Sequence, residues 1–130
     1  MKELNLSMCD PKTLKFVGYY SEIGHICQHK ALYMNYVGEK RKIRATYIKK
    51  EKKVIVNVEE MEKVIENDIA KGFIPFFFGA TIGGTSLGTY DPIGEIVKIT
   101  KKYNIYVHVD AAWAGISFFV PELRVELEGL

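Results

Sequence analysis

Apolar and polar positions along the chain change period several times, and each change predicts an element. Lys15-Phe16-Val17-Gly18-Tyr19-Tyr20 is a β-prone run and reads as a short strand. From Ile23 to Tyr36 the apolar positions Ile26, Leu32, Tyr33 and Tyr36 form an imperfect stripe, which predicts a helix. Ile43 to Ile48 alternates and predicts a strand; a charged turn, Lys49 to Lys53, separates it from a brief extended piece, Val54-Ile55-Val56. Asn57 then offers a helix cap, with Glu60 placed to reach back to the cap amide. Met61, Val64, Ile65 and Ile69 follow at helical spacing, and Gly72 supplies a C-terminal stop.

The second half repeats the alternation of elements. Phe73 to Ala80 is apolar on both parities, the mark of a strand buried in a parallel sheet. After a loop of small residues, Asp91 is expected to cap a helix with Pro92 at its first position. Ile93, Ile96, Val97 and Ile99 would form that helix's buried face. Ile105 to Val109 predicts another buried strand, and a final helix is expected from near Pro121 to at least Leu127. The order β-α-β-α-β-α-β-α predicts an α/β fold, a mainly parallel sheet with flanking helices.

Composition narrows the class. With 130 residues, 48% hydrophobic and 26% charged, the chain can bury a real core and is not expected to be disordered. No apolar run approaches the roughly 20 residues of a membrane span. The stretch MKELNLSMCD lacks the apolar core of a secretory signal, and Cys9 and Cys27 form no CxxC pair. The expected setting is therefore cytoplasmic, with no membrane partner. The net charge of +2 hides a split: residues 1–53 hold 12 Lys/Arg against 5 Asp/Glu, and residues 54–130 hold 6 against 11. The basic runs Glu39 to Arg44 and Lys49 to Lys53 read as a lysine-guarded edge strand and a solvated loop. No aromatic-basic motif accompanies them, so no nucleic-acid partner is expected.

In open α/β sheets, ligands bind outside the carboxyl ends of the strands. His25, Thr81 and Asp110 all follow predicted strand ends, so a parallel sheet would bring them to one edge. Asp110 is the sharpest of the three. It leaves a strand whose only other polar residue near it is His108, and Ala111, Ala112, Ala114 and Gly115 clear space beside it. A half-buried carboxylate calls for a cation; the alternative is a helix-capping aspartate. His25 reads equally as a surface residue or a site residue, His29 as exposed, and His108 as a packed core histidine. Their spacing matches no metal motif, and no metal site is expected. Gly83 to Gly88 is neither a Walker A loop nor GxGxxG; its glycines suit a tight turn or a close approach. Trp113 reads as a core or interface aromatic.

These residues carry a resemblance. Phe73 to Ser86, then Tyr90-Asp91-Pro92, then His108-Val109-Asp110-Ala111-Ala112-Trp113-Ala114-Gly115 resemble the group II pyridoxal-phosphate-dependent decarboxylases. Pro121-Glu122-Leu123-Arg124, with Gly129 beyond, is most similar to the aromatic-L-amino-acid decarboxylase branch. Tyr20 to His25 resembles the family's serine-to-histidine segment, whereas residues 38–56 match poorly.

The resemblance implies the central part of a fold-type I transferase-like large domain and the cofactor pyridoxal 5′-phosphate. It implies that Asp110 holds the pyridinium nitrogen, Ala112 packs on one ring face, His25 stacks on the other and serves catalysis, and Thr81 contacts the cofactor. The implied activity is that of a carboxy-lyase converting an L-amino acid, aromatic by branch, to its amine and carbon dioxide, in a homodimer. Residues 1–130 would be a partial large domain. The family's phosphate-binding turn, its Schiff-base lysine in an Asn-Pro-His-Lys string and its small C-terminal domain are not matched here. Gly84 stands where the family commonly has threonine, and Trp113 where the aromatic branch often has tyrosine. The alternative is a truncated, non-catalytic domain that binds a partner or a full-length subunit.

Overall fold

The computed structural model describes residues 14–127. Cys9, the stretch 1–10 and Gly129 lie outside the described residues. In chain order the elements are β1 (Phe16–Ser21), α1 (Ile26–Met34), β2 (Glu39–Ile43), β3 (Ala45–Ile48), β4 (Lys53–Val56), α2 (Val58–Ala70), β5 (Ile74–Thr81), α3 (Ile93–Lys102) and β6 (Tyr106–Asp110). Two 3₁₀ helices, Gly115–Phe119 and Pro121–Leu127, follow; the second stands where an α-helix was expected.

Four strands form a wholly parallel sheet in the order β2-β1-β5-β6. The expected strand from Ile43 to Ile48 is two strands broken at Arg44. β2 ends on Ile43 at the sheet edge, whereas β3 pairs antiparallel with β4 in a separate hairpin. At the break the backbone changes partners: the Ile43 carbonyl accepts from the Glu22 amide just past β1, and the Arg44 carbonyl from the Asn57 amide just past β4, while the Arg44 side chain turns to Glu60 at 2.8 Å. The basic run is thus an edge strand. Lys42 pairs with Glu22 and Arg41 with Glu39 and Asp68.

One face of the sheet carries the core. Val17 and Tyr19 of β1 and Phe78 and Ala80 of β5 pack with Met61 and Ile65 of α2 and with Ile93, Ile96 and Val97 of α3. Burying such a side chain contributes about 1.5–3 kcal/mol, so this layer dominates stability. The other face is covered by the short α1. Its buried residues are Gln28 and Leu32, one turn apart; of the expected stripe Leu32 is buried, whereas Ile26, Tyr33 and Tyr36 are exposed. The sheet admits them through glycines. A Cβ on Gly18 would stand 2.6 Å from Leu32, and one on Gly79 2.8 Å from Gln28.

β5 is central, as its apolar run implies. Its proline is tolerated because the ladder with β1 shifts register beside Val17–Pro75, where a missing amide does not break regular pairing. β6 is less buried than expected. Tyr106, 65% exposed, and His108 project on the α1 side of the sheet, where α1 meets the end of β6 through Cys27 and Asp110 and leaves these two side chains uncovered. His108 is therefore an exposed histidine stacked on Phe77 at 6.3 Å, not a core one.

The helix ends show local chemistry at work. Asn57 Oδ1 accepts from the Glu60 amide at 2.9 Å, as a cap should. Glu60 does not reach back; Arg44 takes its carboxylate, and the Asn57 amide donates to the Arg44 carbonyl. Gly72, at φ +80°, closes α2, with Phe73 N–H donating to Asp68 O and Gly72 N–H to Ile69 O. Ile69 is 42% exposed, and the buried place on that turn belongs to Asp68, which accepts from the Tyr19 hydroxyl. α1 starts at Ile26, not Ile23, because Gly24 N–H closes a turn onto Ser21 O and His25 is the cap. Asp91 does not cap α3, whose cap position is Pro92; its carboxylate is engaged elsewhere.

Candidate active site

The parallel sheet delivers His25, Thr81 and Asp110 to one place. A cavity of about 320 Å³ is lined by His25, Cys27, Thr81, Asp110, Ala112 and Trp113, together with the backbone at Gly83 to Thr85. β5 and β6 place Thr81 and Asp110 directly opposite one another as ladder partners. His25 arrives from β1 through the turn that starts at Ser21.

Asp110 is half-buried and meets only neutral donors. Its Oδ1 accepts from the Ala112 amide at 3.2 Å and its Oδ2 from the Cys27 thiol at 3.4 Å. Among the described residues no cation pairs with it. The Ala112 contact is the local turn that an aspartate makes two residues ahead. It uses one oxygen and leaves the carboxylate's charge uncompensated. The nearby carboxylate and, above all, burial push the Cys27 thiol up from its ordinary value. His25 caps α1 with Nδ1, which accepts from the Cys27 amide at 3.3 Å. An accepting Nδ1 carries no proton, so the neutral ring holds its proton on Nε2.

Thr81 is buried and held from two sides. Gln28 Nε2 donates to Thr81 Oγ1 at 3.1 Å and to Ala80 O at 2.9 Å, while Gln28 Oε1 is buried without a partner. The Thr81 amide donates to Asp91 Oδ2 at 2.8 Å, and the Asp91 amide donates back to Thr81 O at 2.9 Å.

The glycine loop closes the cavity by close approach. Gly83 adopts φ +74°, and a Cβ there would stand 2.3 Å from that of Ala114 and 2.9 Å from the Trp113 ring. Trp113 is 66% exposed at the rim. His29, half-buried against Tyr20, and His108 do not reach the cavity. A larger hollow of about 890 Å³ lies among Phe16, Leu32, Tyr36, Phe73, Phe76 and Phe77. Its lining has no histidine, and its carboxylate, Glu39 at the start of β2, is already paired with Arg41, so the smaller cavity is the one with chemistry.

Residues 2–130 match the pyridoxal-dependent decarboxylase conserved domain. The chain belongs to the pyridoxal-dependent decarboxylase family.

Within this family, tyrosine decarboxylase 2 of Arabidopsis thaliana is 49% identical over 72 residues, which are 55% of this chain and 13% of that protein. The aromatic-L-amino-acid decarboxylase of Drosophila lebanonensis is 35% identical over 116 residues, 89% of this chain and 27% of that one. The solved tryptophan decarboxylase of Catharanthus roseus, in complex with L-tryptophan, superposes with a TM-score of 0.79 at 30% identity, covering 88% of this chain and 24% of that chain. The matched stretches are thus 13% to 27% of the length of these relatives. The family's fold-type I architecture accounts for the parallel sheet.

Reading along the chain singled out His25, Thr81, Asp110 and Ala112, and all four line this cavity. It missed Cys27, Gln28 and Asp91. Gln28 carried one usable signal, a polar residue four positions before Leu32 on a helix whose other apolar residues do not form a face.

Proposed function

We propose that these residues form one wall of the pyridoxal 5′-phosphate site of a decarboxylase whose full-length subunit, as a homodimer, converts an aromatic L-amino acid to its amine and carbon dioxide. The observation that carries this reading is Asp110: a strand-end carboxylate with no cation partner among the described residues, opposite Thr81 and lining the same cavity as His25. The residues fit the cofactor. A cavity of about 320 Å³ takes a pyridine-sized ring, and the uncompensated carboxylate suits a ring N–H cation. When bound, pyridoxal phosphate supplies an electron sink for the pair left as the substrate carboxylate departs.

The chain's own residues prepare that sink. Asp110 would keep the ring nitrogen protonated, and its fixed place beside Ala112 N–H keeps the carboxylate oriented without reorganisation. Ala112, whose side chain is a single methyl group, would pack on one face of the ring. Thr81 is held rigid by Gln28 and supplies a fixed polar contact. His25 Nε2–H, left free by the capping role of Nδ1, is a donor for the substrate carboxylate. Trp113, exposed at the cavity rim, and Ile116 and Phe119, exposed shortly after it in the chain, support burial of this segment in the complete dimer.

The test uses the full-length subunit. It should bind pyridoxal phosphate and release carbon dioxide from tyrosine, tryptophan or dihydroxyphenylalanine. Asp110→Ala should lower turnover by about 10²-fold or more. His25→Ala should reduce turnover while retaining the cofactor. Wild-type turnover in Asp110→Ala would refute the role, and failure of the parent protein to take up the cofactor would favour a partner-binding domain.

A further inference from the structure

One buried carboxylate joins three strand ends. Asp91, 1% exposed, accepts from the Ser21 hydroxyl at 3.3 Å and the Val56 amide at 3.0 Å through Oδ1, and from the Thr81 amide at 2.8 Å through Oδ2. Ser21, Val56 and Thr81 are the last residues of β1, β4 and β5. β4 belongs to the hairpin, not to the main sheet, so Asp91 also fastens that hairpin to the site end of the sheet.

We propose that Asp91 is a positioning residue of the site, whose three hydrogen bonds fix the distance between the Thr81 strand end and the turn that carries His25. The inference rests on the cofactor-site reading above. Thr81 is gripped at its backbone by Asp91 and at its hydroxyl by Gln28, from opposite sides. Gln28 lies on the helix that His25 caps, so the two walls of the cavity share one network. Gly24, in the turn between Ser21 and His25, packs so closely that a Cβ there would stand 2.9 Å from Thr81 Oγ1 and 2.7 Å from Gln28 Oε1. A small slip at Ser21 would therefore be felt at His25 and Thr81 together. No cation balances Asp91 among the described residues. An apolar core position gains nothing from such a group, whereas a residue that must hold three donors at once needs it.

The test compares Asp91→Asn with Asp68→Asn in the full-length subunit. Asn keeps the shape but offers one acceptor to three donors. Asp68 is equally buried, but its partners Tyr19 and Arg41 line no part of the cavity. In cofactor-free protein, Asp91→Asn should speed amide hydrogen exchange in segments 21–25 and 81–85 roughly tenfold, with α2 unchanged. It should weaken pyridoxal phosphate binding by roughly tenfold, and Asp68→Asn should do neither. If Asp91→Asn does not fold, Ser21→Ala removes one donor and is read in its place, with a smaller effect of the same pattern. Unchanged exchange and affinity in the Asp91 or Ser21 variant would overturn the positioning role, as would equal effects from Asp68→Asn. Absence of cofactor binding by the wild type, with the exchange pattern intact, would instead overturn the functional reading.

Discussion

Cys27 is the residue whose surroundings say most about the electrostatics of the site. Its thiol donates to Asp110, and burial together with that carboxylate raises its pKa. The thiolate is the nucleophile, so a raised pKa means a slow thiol despite its exposure. Alkylation of Cys27 by iodoacetamide at neutral pH should be several-fold slower than that of a free thiol, and faster in Asp110→Asn. Peptide mass mapping of the modified protein distinguishes Cys27 from Cys9. Alkylation at the free-thiol rate, unaffected by Asp110→Asn, would mean that the contact does not hold the proton. The same residue shows why part of the site escaped sequence reading. His25, Thr81 and Asp110 were legible because each follows a strand end. Cys27 matters only through a partner 83 positions away.

At the scale of elements, local signals were read well and long-range ones poorly. The Asn57 cap and the Gly72 stop depend on neighbours within a few residues, and both appear as expected. Asp91-Pro92 carries the same kind of local signal, yet a partner 35 positions away at Val56 and others at Ser21 and Thr81 compete successfully for the carboxylate. The strand expected from Ile43 to Ile48 divides for a similar reason, since periodicity cannot show that the chain leaves one sheet for another. The glycine loop gives a direct test of close approach between elements. Gly83 and Gly88 both have positive φ, +74° and +61°, but only at Gly83 would a Cβ meet the segment after β6. Gly88→Ala should cost about 1–2 kcal/mol from the backbone alone. Gly83→Ala should cost clearly more, and it should also weaken cofactor binding by displacing Trp113. Urea unfolding of the two variants measures the difference. Equal losses would show that the contact with Ala114 yields without strain.

For the whole molecule, the same Asp91 that ties the strands together also sets a pH dependence. Burial is the largest influence on it and raises its pKa to about 6, against 3.8 for an ordinary aspartate; its hydrogen bonds pull the other way but less strongly. A folded state that holds the proton more tightly than the unfolded chain is favoured at low pH. The contribution is complete below about pH 4 and is lost as pH rises through 6. Between pH 4.5 and 7 this amounts to about 2 kcal/mol of lost stability. Glu22 and Glu62 act in the opposite sense. The Ala45 amide holds the first below the usual range and Lys102 the second, so their contributions stand above their ordinary pKa of 4.5 and are lost on acidification. Both are at the surface and screened by solvent. In the window above pH 4.5, the difference between the wild type and Asp91→Asn isolates Asp91, because every other titrating group is common to both proteins. Urea unfolding at pH 4.8 and 6.8 should show the wild type losing more stability with rising pH than Asp91→Asn. Comparing each protein only with itself at two pH values cancels any difference in their absolute stability. Parallel pH profiles for the two proteins would mean that Asp91 is ionised throughout the window, its three donors outweighing its burial.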